Sequence, residues 1–168
     1  MSSIKTGPWL LAVSTCVVLF GAAVAPPFVG GAIGVPLMEA FSWVCHQIPD
    51  RSFSVGGESL AVCHRCTGIF AGLVIGSALL LPLHVPNGVI DRHGRAVLFV
   101  TIALNAIDWG ITLLGIWENT MVSRFSTGLL FGVAAGYLFA KALAAGNAHA
   151  RTSTAPETGL ALSTHPTT

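Results

Sequence analysis

The chain has 168 residues, of which 53% are hydrophobic and 9% charged, and its formal net charge is +1. Soluble domains carry about 25% charged residues, so this surface cannot be solvated as a water-soluble globule, and a disordered chain, a collagen-like fibre and a small disulfide-knotted domain are excluded with it. The near-neutral charge leaves no footprint for nucleic acid, and what remains is a single-domain protein of the lipid bilayer.

No Asp, Glu, Lys or Arg occurs between Lys5 and Glu39, and Pro26-Pro27 divides that run. The first piece, about 9–25, is just long enough at 1.5 Å per residue to cross a hydrocarbon core of about 30 Å when its flanks snorkel. Lys5 and the small-x-small triplet Ala23-Val24-Ala25 imitate a signal peptide. A Pro directly after the cleavage point is a poor substrate, so an uncleaved first span is expected. The second piece, about 28–44, holds Gly30, Gly31, Gly34 and Pro36 together with Glu39 and Trp43. Such a backbone suits an interfacial or re-entrant half-helix better than a lipid-facing span.

The later spans fall at about 67–83, 96–117 and 125–145, with Trp9, Trp43 and Trp117 near ends where amphipathic rings settle. The expected fold class is therefore an all-α membrane protein, four transmembrane helices and a half-helix in one domain over 1–145. Lys5, Arg92, Arg95, Lys141 and Arg151 then share one side against Arg51, Arg65 and Arg124 on the other. That bias places the multi-pass protein in the cell membrane with both termini in the cytoplasm. The tail, 146–168, is rich in Ala, Thr, Ser and Pro and cannot bury enough apolar surface to fold.

Thr67-Gly68-x3-Gly72-x3-Gly76 in the second span reappears as Thr127-Gly128-x3-Gly132-x3-Gly136 in the fourth. Glycine at every fourth residue clears one helix face so that two backbones can approach closely. The repeat reads as helix packing, or as the trace of two helix-loop-helix halves such as internally duplicated transporters carry.

Three of the four cysteines lie between spans one and two, in Cys45-His46-Gln47 and Cys63-His64-Arg65-Cys66, while Cys16 sits in the first span as a small hydrophobe. A Cys-x-x-Cys offers two thiolates at chelating distance, and Cys45 with a His completes a tetrahedral set for zinc or iron. The metal ligands expected are Cys45, Cys63 and Cys66 with one histidine, His46 or His64. Two other readings stay open. Cys66 at a helix N-terminus has a thiol activated for redox work, so Cys63 and Cys66 could pass electrons to a quinone. Against that redox reading, the second outer loop, 118–124, holds no cysteine, and a structural disulfide is the third reading.

Asp108 falls near the middle of the third span, where an ionised carboxylate costs at least a few kcal/mol. Thr101, Asn105, Asp108, Thr112 and Asn119 line one helix face at steps of three, four and seven. Asp108 either staples helices through hydrogen bonds or serves a polar track as proton carrier, metal ligand or substrate contact. Arg51, Arg65 and Arg124 are all expected at the outer face. They either pair with Asp50, Glu58 and Glu118 or, with Asn105 and Asn119, bind an anionic small molecule or lipid headgroup. His84, His93, His149 and His165 show no ligand spacing.

Cys45-His46-Gln47-x-Pro49-x-Arg51-Ser52-Phe53, then Cys63-x-Arg65-Cys66-Thr67-Gly68-Ile69-Phe70, then Asp108, Asn119, Arg124 and Thr127-Gly128 resemble the prokaryotic membrane family named domain of unknown function 2085. The resemblance runs from about Cys45 to Gly136, with Trp109 and Phe70 departing from the family pattern. It implies a multi-pass membrane protein and supplies no activity. The sequence thus gives a membrane protein with a Cys/His metal site and an intramembrane Asp. A quinone-linked thiol oxidoreductase and a small transporter or lipid-phosphate-handling protein are the alternatives, as monomer or oligomer.

Overall fold

The computed structural model of the protein describes residues 6–83, 89–116 and 118–152. Lys5, His84, Trp117, His165 and the tail beyond 152 lie outside the described residues, as do the side chains of His149 and Arg151. The chain is mainly helical: α1 (Thr6–Val24), α2 (Pro26–Val29), α3 (Gly31–Ser42), α4 (His64–Leu83), α5 (Val89–Leu113) and α6 (Met121–Thr152). The expectation of an all-α chain is corrected by a small antiparallel hairpin, β1 (Ser52–Val55) and β2 (Glu58–Cys63). Gly56 and Gly57 both take positive φ, +62° and +89°, which is what a two-residue turn matching the strand twist requires. Val55 pairs with Glu58 and Ser54 with Ser59, and a bulge shifts the register before Ser52 reaches Cys63.

Three helices are long and apolar enough to cross a membrane by length and composition: Thr6–Val24, Arg92–Leu113 and Met121–Ala145. In α4 the apolar stretch His64–Leu79 is shorter. The expected half-helix at 28–44 is two pieces, because Pro26 opens α2 and Gly30, at φ +70°, breaks the chain before α3 begins. Gly34 lets α3 fold back onto α2, since a Cβ there would stand 3.2 Å from the Pro26 carbonyl oxygen. At the far end α6 runs past the expected boundary at 145 to Thr152.

The two glycine motifs meet. A methyl group on Gly68, Gly72, Gly76, Gly128, Gly132 or Gly136 would strike the backbone of the opposite helix, and on Gly132 it would stand 2.9 Å from the Gly72 Cα. Gly68 faces Phe125 and Gly76 faces Val133, so α4 and α6 run parallel. The first helix runs antiparallel to both: Trp9 Nε1 donates to the Ser77 carbonyl at 3.0 Å, while Ala23 packs in a cluster with Cys66 and Phe70. Ala12 of α1 meets Tyr137 and Ala140 of α6, which brings the start of the first helix and the end of the last to one end of the bundle.

Alanine at Gly132 should lower stability by about 1–3 kcal/mol, because the atoms it meets are backbone and cannot step aside. At Gly110, where a Cβ meets nothing within 4 Å, alanine should be neutral or stabilise by up to about 1 kcal/mol through helix propensity. Unfolding midpoints of the two variants in a mixed-micelle titration check this, and equal shifts would contradict a tight α4–α6 seam.

Candidate metal centre

Cys45 follows α3 as the chain leaves the helix, its N–H still bonded to the Phe41 carbonyl at 3.0 Å. Two residues on, Gln47 adopts φ +49°, a left-handed conformation uncommon for a side-chain-bearing residue. Its amide holds that turn in place by donating to the carbonyls of Met38 at 2.6 Å and Ala61 at 2.8 Å. One side chain thereby ties the end of α3 to β2 and sets Cys45 beside the end of the hairpin. Cys63 closes β2 and Cys66 lies in the first turn of α4.

The Sγ atoms of Cys45, Cys63 and Cys66 all lie within 4.8 Å of one another. A tetrahedral zinc with bonds of about 2.3 Å sets its sulfurs roughly 3.8 Å apart, so the three can take up an ion with sub-ångström movement of each. The Cys63 N–H donates to Cys45 Sγ at 3.2 Å, which ties the end of β2 to the Cys45 turn. Hydrogen bonds from Cys45, and then from Cys66, hold the Cys63 thiol far below its ordinary pKa despite partial burial. The site sits in an apolar setting of Ala23, Phe41, Val62 and Phe70, with Phe41 and Phe70 meeting edge to face at 5.7 Å.

Among the described residues the ligand group contains the three cysteines and no histidine. His46 is exposed, because neighbouring residues of an open chain segment point their side chains apart and Cys45 takes the inward position. His64 is buried but turns to the ring of Phe53, 4.4 Å away, and its Nδ1 has no hydrogen-bond partner among the described residues.

Beside the cysteines stands a second cluster. Arg65 forms an ion pair with the Asp108 carboxylate, the side chains being 22% and 14% exposed. Asn119 Nδ2 donates to Asp108 Oδ2 and to the Asp108 carbonyl, both at 2.7 Å, and Ser123 Oγ donates to Oδ1. Thr112 hydrogen-bonds Asn119, and Asn105 Nδ2 reaches the Thr127 carbonyl of α6 at 2.8 Å. The polar face of α5 therefore turns inward to α4 and α6, while Ile102, Leu104, Ile107, Trp109 and Ile111 face outward. Sequence reasoning did not single out Ser123, although its place four residues before Thr127 at the start of α6 was a signal. Arg51 is exposed in the short 3-10 turn Pro49–Arg51, and Arg124 is half-buried near His64. The expected pairing of arginines with Asp50, Glu58 or Glu118 gives way, for Arg65, to Asp108.

A family model described as predicted membrane protein (DUF2085) matches residues 45–138, more than half of the chain. The chain belongs to this family. Its matched part begins at Cys45 and takes in the hairpin, α4, α5 and the glycine face of α6. An uncharacterised protein of Methanocaldococcus jannaschii is 32% identical over 106 residues, covering 60% of this chain and 64% of that protein. One of Methanothermobacter thermautotrophicus is 35% identical over 98 residues, covering 55% and 81%. The match thus spans just under two thirds of the first relative's length. No solved structure matches. As a DUF2085 member the protein is a membrane protein with a cysteine cluster able to hold a metal ion.

Removing one partner of a pair this shielded leaves an uncompensated charge, so Asp108→Leu and Arg65→Met should each destabilise by about 3 kcal/mol. The double variant should recover a substantial part of that loss. A double-mutant cycle of unfolding free energies in detergent is the measurement, and strict additivity would refute the staple.

Proposed function

We propose that this DUF2085 protein is a four-span membrane protein that binds one zinc ion through Cys45, Cys63 and Cys66 where the hairpin meets α4, leaving one coordination position for an outside ligand. The observation that carries the reading is the mutual approach of three sulfurs from three separate segments to within 4.8 Å. Three thiolates and a tetrahedral preference favour zinc, whereas an iron–sulfur cluster takes four protein ligands and this site offers three. A zinc with an open position supplies Lewis acidity to whatever ligand enters there.

In this reading α1, α4, α5 and α6 are the four spans, and α2 and α3 lie at the interface with Phe28, Ile33, Val35 and Trp43 exposed to lipid. The hairpin end is the outer one and both termini are cytoplasmic, as the excess of Lys and Arg at the opposite end favours. The protein's own groups shape the site. Gln47 fixes the Cys45 turn, and Arg65 is engaged by Asp108. Arg51 and Arg124 remain as the cations that an anionic ligand would meet at this end.

Elemental analysis of the detergent-purified full chain should find one zinc per chain. Cys45→Ser, Cys63→Ser and Cys66→Ser should each weaken binding more than about 100-fold, beyond the cost of losing a group that merely supports a ligand. His46→Ala should bind as before. A metal-free protein with a reversible Cys63–Cys66 disulfide would replace this reading with quinone-linked redox chemistry. A reporter fused after Thr152 should read cytoplasmic, and a periplasmic reading would reverse the topology.

A further inference from the structure

Three sulfurs converge where the hairpin meets α4, and a disulfide consumes two of them. Oxidation of the cluster therefore leaves one thiol over. Cys16 cannot make up the pair: it lies outside the sulfur group, seven residues before Ala23, the α1 residue that packs at the cluster, or roughly 10 Å along the helix. The three sulfurs are not equally open. Cys45 is 6% exposed and its Sγ accepts the Cys63 N–H at 3.2 Å, whereas Cys63 and Cys66 are half-buried. An oxidant arriving from outside the protein meets Cys63 and Cys66 first.

Connectivity singles out the same pair. Cys63 ends β2 and Cys66 is the third residue of α4, so a bond between them closes within one continuous segment. Cys45 comes from the other side, at the exit of α3, and shares with Gln47 and the Phe41–Phe70 contact the task of holding α3 in place. Farther from the cysteines the interface is hollow. A cleft of about 560 Å³ is lined by Pro26, Gly34 and Met38 on the helical side and by Gly57 and Glu58 on the hairpin. The attachment of α2 and α3 is thus weighted toward the cysteine end, where an ion held by all three sulfurs joins α3 to the hairpin.

From the odd sulfur count, the unequal exposure and the separate origin of Cys45, we propose that the cluster is a peroxide-sensitive clamp, a regulation that rests on the zinc reading above. Oxidation of Cys63 and Cys66 to a disulfide ejects the ion, frees Cys45 and loosens α2 and α3 from the hairpin. The two sulfurs give two electrons to hydrogen peroxide, and the S–S bond forms as the O–O bond breaks. Three protons from solvent complete two waters and the Cys45 thiol while Zn²⁺ leaves. A single remaining thiol is too few donors to keep the ion. Reduction by a dithiol reverses the step and lets zinc return.

The purified full chain in detergent, with its zinc content measured first, tests this by stepwise addition of hydrogen peroxide. Zinc should appear in solution, read with a chelating dye, as the free thiols of the denatured protein fall from four to two. Peptide mapping should place the disulfide at Cys63–Cys66 and find Cys45 newly open to alkylation. Amide exchange in α3 should quicken about tenfold or more while α4 and α6 stay protected. Dithiothreitol with zinc should restore every reading. Retention of zinc and all four thiols under peroxide overturns the clamp and leaves zinc binding standing, whereas a protein without zinc beforehand overturns both. A disulfide that includes Cys45, sulfonic acids in place of a disulfide, or unchanged exchange in α3 after the disulfide has formed each overturns the clamp as well.

Discussion

The close contact of α4 with α6 sets the positions of everything else. Lipid gives two apolar helices no hydrophobic reason to associate, so the drive must come from dispersion and weak C–H contacts at short range, and glycine at every fourth position makes that range available. The contact is reciprocal: Gly68 faces the Phe125 carbonyl while Gly128 faces that of Arg65, and Gly76 faces Val133 while Gly136 faces Leu73. Each contact made by one helix is mirrored by the corresponding contact of the other repeat, as a pseudo-two-fold axis along the bundle demands. Two parallel helices in such register bring their N-terminal turns side by side, so Arg65 and Cys66 necessarily stand near Ser123 and Arg124.

The fifth helix returns alongside α6, and its attachment uses the opposite currency. Its outward face is apolar and its inward face carries Thr101, Asn105, Asp108 and Thr112, an inverted amphipathicity suited to a helix whose solvent is lipid. Asp108 could not hold that position alone, since an isolated carboxylate at this depth costs several kcal/mol. Arg65 from α4, Asn119 from the loop and Ser123 from α6 share its two oxygens, so three segments are fastened by one side chain. This arrangement supports the stapling role more directly than a proton-carrying one, because both oxygens are already engaged.

Those parts of the architecture that rest on periodicity were legible in the sequence. Glycine spacing pointed to the seam, the steps between Thr101 and Asn119 to the inward face of α5, and the two cysteine motifs to the sulfur cluster. What escaped depends on chain reversals and on partners distant in sequence. Gly56-Gly57 flanked by short alternating runs is a hairpin signal, but the run is brief and sits amid glycines and serines that read equally as loop. The two histidines of the motifs stand outside the sulfur group for a local reason: both adjoin a cysteine, and a residue next to an inward ligand usually points elsewhere. Gln47 stood in the quoted motif, yet its task of binding two carbonyls from separate elements appears only once α3 and β2 are seen side by side.

The same seam accounts for the contrast between the two ends of the bundle. At the hairpin end, β2 buries Leu60, Ala61 and Val62 against α1 and α3, and the aromatic pair Phe41 and Phe70 packs beside them, so the sulfurs sit in an apolar setting with Cys45 buried and Cys63 and Cys66 half-buried. At the other end no such element covers the helices among the described residues. The glycine faces that let α4 and α6 touch present no side chains toward α5, and Gly94 removes one more from α5 itself. Helices that gain contact by discarding side chains leave volume beside the line of contact, here an apolar cavity of about 300 Å³ between α4, α5 and α6. One packing solution therefore accompanies a cluster of sulfur donors at one end and an apolar cavity between α4, α5 and α6 toward the other.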